Sequence, residues 1–203
     1  MNSCPLNIAI FASGSGTNAE NLIRYFSRSK YGKIVLLLSN KKDALVLEKA
    51  YKLAIPTKTF TYSEFCGKEI NPNKFITIMK NYNIDLILLA GFLLKVPKYL
   101  LSIYPKKIIN IHPALLPAYG GKGMHGIHVH QTIIAAGEKK SGITIHLIDE
   151  NYDKGKIIFQ GFCNIESGDN AEDLAAKIHV LEQANFPKVI EKYIIEHPTL
   201  FIK

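Results

Sequence analysis

A chain of 203 residues, 47% hydrophobic and 21% charged, can bury one substantial core and has the balance of a soluble globular protein rather than a disordered or fibrous one. No apolar run approaches the ~20 residues that cross a bilayer, and Cys4, Cys66 and Cys163 are too few and too scattered for a disulfide scaffold or a thiolate zinc site. The formal charge of +8 comes from lysines spread along the chain, with only Arg24 and Arg28 as arginines. No basic run is interleaved with aromatics, so the surface suits small anions better than nucleic acid.

The segment from Met1 to Asn7 lacks a basic stretch followed by an apolar one, so a reducing cytoplasmic location is the expectation. Asn7 to Ala12 then reads as a buried strand, and Asn18 to Phe26 as an amphipathic helix. Lys33 to Leu38 is a second apolar strand, followed by helical periodicity over Asp43 to Leu53 and a short strand over Ile55 to Phe60. Asn71-Pro72 gives a capping side chain and a proline at the first helical position, which opens a helix to about Asn81. Asp85 to Ala90 is the most apolar strand of the chain. Ile108 to Ile111, Ser141 to Ile148 and Lys156 to Cys163 complete the strands, with a helix from Val129 to Ala136. The tail from Ala171 to about His197 reads as a helix bent or broken at Pro187. Apolar strands alternating with helices predict a single α/β, Rossmann-like domain: a mostly parallel twisted sheet flanked by helices, with its site beyond the carboxyl ends of the strands.

Three segments carry candidate chemistry. Ser13-Gly14-Ser15-Gly16-Thr17-Asn18 joins the first strand to the first helix, where tight glycine turning and free N–H groups favour an anion. The spacing Gly14, Gly16, Ala19 also fits a dinucleotide fingerprint. The second strand, however, ends in Ser39-Asn40-Lys41-Lys42 with no acid for a ribose, which leaves NADP as the form to consider. Asn110 and His112 stand two residues apart at a strand end and point to one side, so both can donate to a developing oxyanion. A capped strand end with a satisfied histidine explains the pair equally well. Asp149 to Gly155 reads on its own as an acidic turn, and Tyr119 to His130 as a glycine-rich mobile loop; its three histidines lack a partner spacing for a metal.

In order along the chain, Ser13–Asn18, Leu89-Ala90-Gly91-Phe92, Asn110 to Pro117, Gly142 to His146 and Asp153-Lys154-Gly155 resemble the phosphoribosylglycinamide formyltransferase family. The resemblance covers nearly the whole chain. It implies 10-formyltetrahydrofolate as co-substrate, a phosphorylated purine precursor as acceptor, no metal, and small-molecule partners only, with a monomer or weak homodimer. It implies a catalytic trio of Asn110, His112 and Asp153, and a further histidine near the site, His146. Gly16, Thr17 and Asn18 match the loop for the substrate phosphate, and Glu182 an acid on its sugar side. Leu93, Leu94, Lys95 and Val96 match the segment that cradles the pterin. Residues 1–90 thus correspond to a phosphate-binding half, and 91–203 to a folate-binding and catalytic half. Two departures stand out: Leu94 where the family often has arginine, and Lys68, ahead of Glu69, where a folate-side arginine is expected. Lysine keeps the charge and loses the planar fork. The catalytic domain of methionyl-tRNA formyltransferase is the nearest alternative, though the phosphate loop is not expected there; formyltetrahydrofolate hydrolase is another.

Overall fold

The computed structural model describes residues 4–202, so the part of the amino-terminal reading that rests on Met1–Ser3 lies outside it, as does Lys203. The chain runs β1 (Leu6–Ala12), α1 (Thr17–Phe26), β2 (Gly32–Ser39), α2 (Leu45–Lys52), β3 (Thr57–Thr59), α3 (Tyr62–Cys66), α4 (Pro72–Asn81) and β4 (Leu86–Leu89). It continues through α5 (Lys98–Ile103), β5 (Ile108–His112), α6 (Ile127–Ala135), β6 (Lys140–Leu147), β7 (Ile157–Asn164) and α7 (Ala171–Glu196), and ends in a short 3₁₀ turn.

The seven strands form one sheet in the order β3-β2-β1-β4-β5-β6-β7. The first five are parallel, because each is reached by a helical crossover. From β1 the chain winds outward to β3 and then returns to β4 on the other side of β1. The order therefore reverses between β1 and β4, where a crevice opens. β6 alone is reversed: it is antiparallel to both β5 and β7, so β7 points the same way as the first five strands, and only in this does the sheet depart from the βαβ pattern the sequence suggests. The link between β6 and β7, residues 148–156, is too short for a crossover helix.

The continuous apolar runs arise because these strands are covered on both faces. Ile8, Ile10 and Ala12 of β1 enter the layer beneath α1, α6 and α7, whereas Ala9 and Phe11 enter the layer beneath α3, α4 and α5. β4 splits likewise, Leu86 and Leu88 against Ile87 and Leu89. In the second layer Phe11, Phe60, Phe65, Phe75 and Phe92 meet ring to ring, with centroids 4.9 Å apart for Phe60–Phe65 and 5.3 Å for Phe11–Phe92. Such pairs add about 0.5–1.5 kcal/mol each beyond simple burial. α3, absent from the sequence reading, is a single turn fixed by a reciprocal cap between Thr61 and Glu64. α5 follows Pro97 and was likewise absent, six residues being too few to display a period.

α7 contains Pro187 without ending there: it is one helix over 26 residues. A proline removes the N–H that would bind the carbonyl four residues back, here that of Gln183. The Asn21 side chain of α1 supplies the missing donor, with Nδ2 2.9 Å from that oxygen. Pro187 itself is buried with Phe186, so the ring adds packing in return for the bond. Asn21→Ala should therefore cost about 0.5–1.5 kcal/mol, and less in a Pro187→Ala background where Gln183 regains a helical partner. Urea unfolding of the two single variants and the double variant measures this; equal costs of Asn21→Ala in both backgrounds would refute the pairing.

Candidate active site

One cavity of about 790 Å³ occupies the crevice between β1 and β4. Its floor begins with the turn after β1. Gly16 caps α1 with φ 77°, a left-handed conformation that suits glycine, and a Cβ there would lie 2.4 Å from the Val46 side chain of α2. The turn is held by the Val46 amide donating to the Gly14 carbonyl. No side chain caps α1, and Thr17 and Asn18 of its first turn line the cavity, an arrangement that suits an anion. Lys41 lines the same end. Ser13 is 2% exposed: its Oγ donates to Asn40 Oδ1 at 2.6 Å and accepts from the Leu93 amide at 3.1 Å, joining this turn to the segment after β4.

At the other end, Asn110 and His112 project from β5 on the face opposite Ile109 and Ile111. His112, 4% exposed, places Nε2 2.8 Å from the Tyr119 carbonyl; that oxygen can only accept, so Nε2 carries a proton and Nδ1 is the nitrogen left for chemistry. Nδ1 lies 3.8 Å from Asp153 Oδ2, an ion-pair separation too long for a direct hydrogen bond. Asp153 has φ 53°, tolerated by aspartate more readily than by most residues, and its Oδ2 accepts from the Gly121 amide at 2.8 Å. Its Oδ1 is 3.6 Å from Nε2 of His146 on β6.

His146 is fully buried. Its Nδ1 donates to the Leu147 carbonyl at 3.0 Å, so Nε2 is an acceptor and receives Nδ2 of Asn110 at 3.1 Å. Burial pushes the His146 imidazole below its usual range, with Asp153 opposing, so it is neutral at neutral pH, as an acceptor must be. The contact fixes the Asn110 amide and leaves its second N–H free for a ligand oxygen.

The third wall comes from α6 and α7. Glu182, 5% exposed, accepts from His179 Nδ1 at 3.0 Å. That contact raises the pKa of His179, with burial opposing. His130 lines the cavity beside them.

The cavity thus brings together Gly16, Thr17, Asn18, Leu93, Asn110, His112, Asp153 and Glu182. Val96 instead lines a narrow apolar seam beneath it, with Phe11, Phe65, Leu89, Phe92 and Leu100. Leu94 packs half-buried against the same layer, and exposed Lys95 sits with Nζ 5.7 Å from the Tyr152 ring. Lys68, exposed after α3, lines neither space. Sequence reasoning passed over three contributors: Ser13 as a link, His179, and His130. His179 had a signal in its spacing of three residues from Glu182, one face of a helix. Among the described residues, no group of three or more His, Cys, Asp or Glu side chains is placed to hold a metal ion, and no helix is long and apolar enough to cross a membrane.

The doubly wound sheet thus presents an anion-ready turn and, at its switch point, an amide, an imidazole and a carboxylate around one cavity. The profile of the formyl transferase family matches residues 6–190, and the chain belongs to that family. It is 37% identical over 185 residues to the chloroplastic phosphoribosylglycinamide formyltransferase of Arabidopsis thaliana, covering 90% of this chain and 63% of that one. It is 35% identical over 187 residues to the phosphoribosylglycinamide formyltransferase of Bacillus subtilis (strain 168), covering 92% and 93%. The chain thus spans less than two thirds of the plant relative's length and nearly all of the bacterial one's. The crystal structure of phosphoribosylglycinamide formyltransferase from Bacillus halodurans superposes with a TM-score of 0.87 at 35% identity, over 97% of this chain and 100% of that one.

The buried imidazoles make stability depend on pH. Burial lowers the pKa of both His146 and His130 below 6.5, so the unfolded chain binds protons that the native state refuses as pH falls through 6.5. Stability contributed this way is present above 6.5 and lost below it. His179, whose pKa is raised, works in the opposite direction, but it is one group against two. The thermal midpoint is expected to fall between pH 7.5 and 5.5, and His146→Gln to flatten the slope; a midpoint that rises on acidification contradicts the assignment.

Proposed function

We propose that this chain transfers the formyl group of 10-formyltetrahydrofolate to the amine of 5′-phosphoribosylglycinamide, a step of de novo purine biosynthesis. The observation that carries the reading is a single cavity with an anion-ready helix start at one end and Asn110, His112 and Asp153 at the other, in a chain so similar to relatives of that name. Residues up to about 90 supply the phosphate turn, and those from about 91 supply the folate and catalytic groups, with Glu182 reaching back to the sugar. Leu93 of the segment Leu93–Val96 lines the cavity and is the point at which the folate would enter it.

The substrate amine, unprotonated, attacks the formyl carbon, and the carbonyl electrons move onto oxygen. That oxyanion accepts from the free N–H of Asn110 and from Nδ1–H of the His112 cation. Both donors are preset, by His146 and by the Tyr119 carbonyl respectively. Losing one such donor costs about 3–4 kcal/mol, or ~100- to 1000-fold in rate. Asp153 stabilises the imidazolium as it forms. Nδ1 and the Asp153 carboxylate lie 3.8 Å apart, so a water or substrate atom bonded beside both can relay the proton of the attacking nitrogen to N10 as the C–N10 bond breaks. No covalent enzyme intermediate is involved.

A spectrophotometric assay with glycinamide ribonucleotide and 10-formyl-5,8-dideazafolate should show turnover that falls ~100- to 10,000-fold in Asp153→Asn. His112→Ala should lose ~100- to 1000-fold in kcat with substrate binding retained; near wild-type turnover in either variant sinks the mechanism. Formate release without acceptor formylation would indicate a hydrolase instead. Gly120→Ala tests the geometry alone. A Cβ there would lie 2.5 Å from Leu116 Cδ2 and 3.1 Å from Asp153 Cβ, so kcat should drop while the fold persists, as circular dichroism would report.

A further inference from the structure

His130 is the residue of the cavity wall that neither the fold nor the proposed chemistry accounts for. It sits on α6 between Val129 and Ile133 of the core, is 6% exposed, and lines the cavity. A buried imidazole normally satisfies at least one ring nitrogen. Here Nδ1 is fully enclosed without a partner, and Nε2 is not among the enclosed unpartnered atoms of the described residues. An enclosed lone pair is tolerated better than an enclosed N–H. The proton therefore belongs on Nε2, the nitrogen not walled in, which makes His130 a donor facing the cavity.

Its surroundings define what that donor meets. His130 lines the same cavity as His112 of β5 and as Glu182 and His179 of α7, so it shares one space with the reacting end and with the buried carboxylate. Glu182 engages His179 through Oε2 and has its other oxygen free. Burial keeps His130 neutral, so the imidazole does not neutralise Glu182 by taking up a charge of its own. A neutral donor beside a carboxylate acceptor is the complement of vicinal hydroxyls, each of which both gives and takes a hydrogen bond.

Resting on the reading above that the acceptor is a sugar phosphate, we infer that His130 is a substrate-binding residue whose Nε2–H donates to one hydroxyl of the ribose cis-diol while Glu182 accepts the diol protons. The diol is thereby fixed midway between the phosphate at Gly16–Asn18 and the amine at His112. Specificity for a ribose over a deoxygenated sugar follows, because a sugar without the diol leaves both a buried carboxylate and an N–H unpaired.

Calorimetric binding of glycinamide ribonucleotide and of its 2′,3′-dideoxy analogue, without folate, tests this in wild type, His130→Ala and His130→Gln. His130→Ala should weaken binding of the ribonucleotide ~5- to 30-fold and leave the dideoxy analogue within about twofold. His130→Gln, which keeps an N–H donor at similar reach, should recover most of the loss. Equal losses for both ligands, no loss for either, or no binding of the ribonucleotide to the wild type would each overturn the assignment. Formyl transfer measured in parallel separates the two readings. Binding that depends on His130 without turnover would leave the diol site standing and remove the proposed reaction.

Discussion

The carboxylate of Asp153 stands where three parts of the chain converge. It lies within 3.8 Å of a ring nitrogen on β5 and 3.6 Å of one on β6, and accepts the amide of Gly121 from the glycine-rich loop. To do so its backbone occupies a left-handed conformation, and Gly120 must lack a side chain, since a Cβ would press on both Leu116 and Asp153. A negative charge so placed costs desolvation unless it is met by donors or cations. The site meets it with one backbone N–H, the imidazoles of β5 and β6 standing beyond direct hydrogen-bond distance. In the reaction proposed above, that unsatisfied capacity is what the carboxylate would turn toward a proton at His112.

A second tie crosses the other half of the cavity. Ser13, the first residue after β1, receives the Leu93 amide and donates to Asn40, while its own amide donates to the Gly91 carbonyl. The phosphate turn and the segment after β4 are consequently built on one buried hydroxyl. The parallel sheet makes this possible, since β1 and β4 are neighbours running the same way and deliver their carboxyl ends to one edge. The crevice is where the chain reverses its winding, so no crossover helix fills it. Position of the site is thus a property of topology, and its content a property of a few loop residues.

This division explains what the sequence disclosed. β1 and β4 are legible because burial on both faces leaves unbroken apolar runs, and the turn at Gly14–Gly16 because its backbone needs residues without Cβ. α1 and α4 are legible from amphipathic spacing and, for α4, from the Asn71–Pro72 start. α3 and α5 are too short to display a period. The direction of β6 and β7 is set by how the link after α6 re-enters the sheet, which no local pattern records. Asp153 reads locally as part of an acidic turn, and only its distance to His112, 41 positions away, gives it a role. The expectation that Pro187 would bend or break α7 was reasonable for an isolated helix. It missed Asn21, which lies 162 residues earlier in the chain and repairs the bond.

His146 behind the cavity, and His130, His179 and His112 on its wall, show how one side chain type is given different settings by placement alone. His146 is held neutral by complete burial and used as an acceptor that aims Asn110. His130 is held neutral by burial yet left unbonded, and so presents a donor. His179, half in solvent and paired with Glu182, is driven toward the cation at the end where an anion is expected. His112 has one nitrogen committed to the Tyr119 carbonyl and the other facing Asp153 across a gap wide enough for a transferred proton. The reaction proposed above draws on both neutral settings, a buried acceptor that aims the Asn110 donor and an unbonded imidazole that meets the sugar.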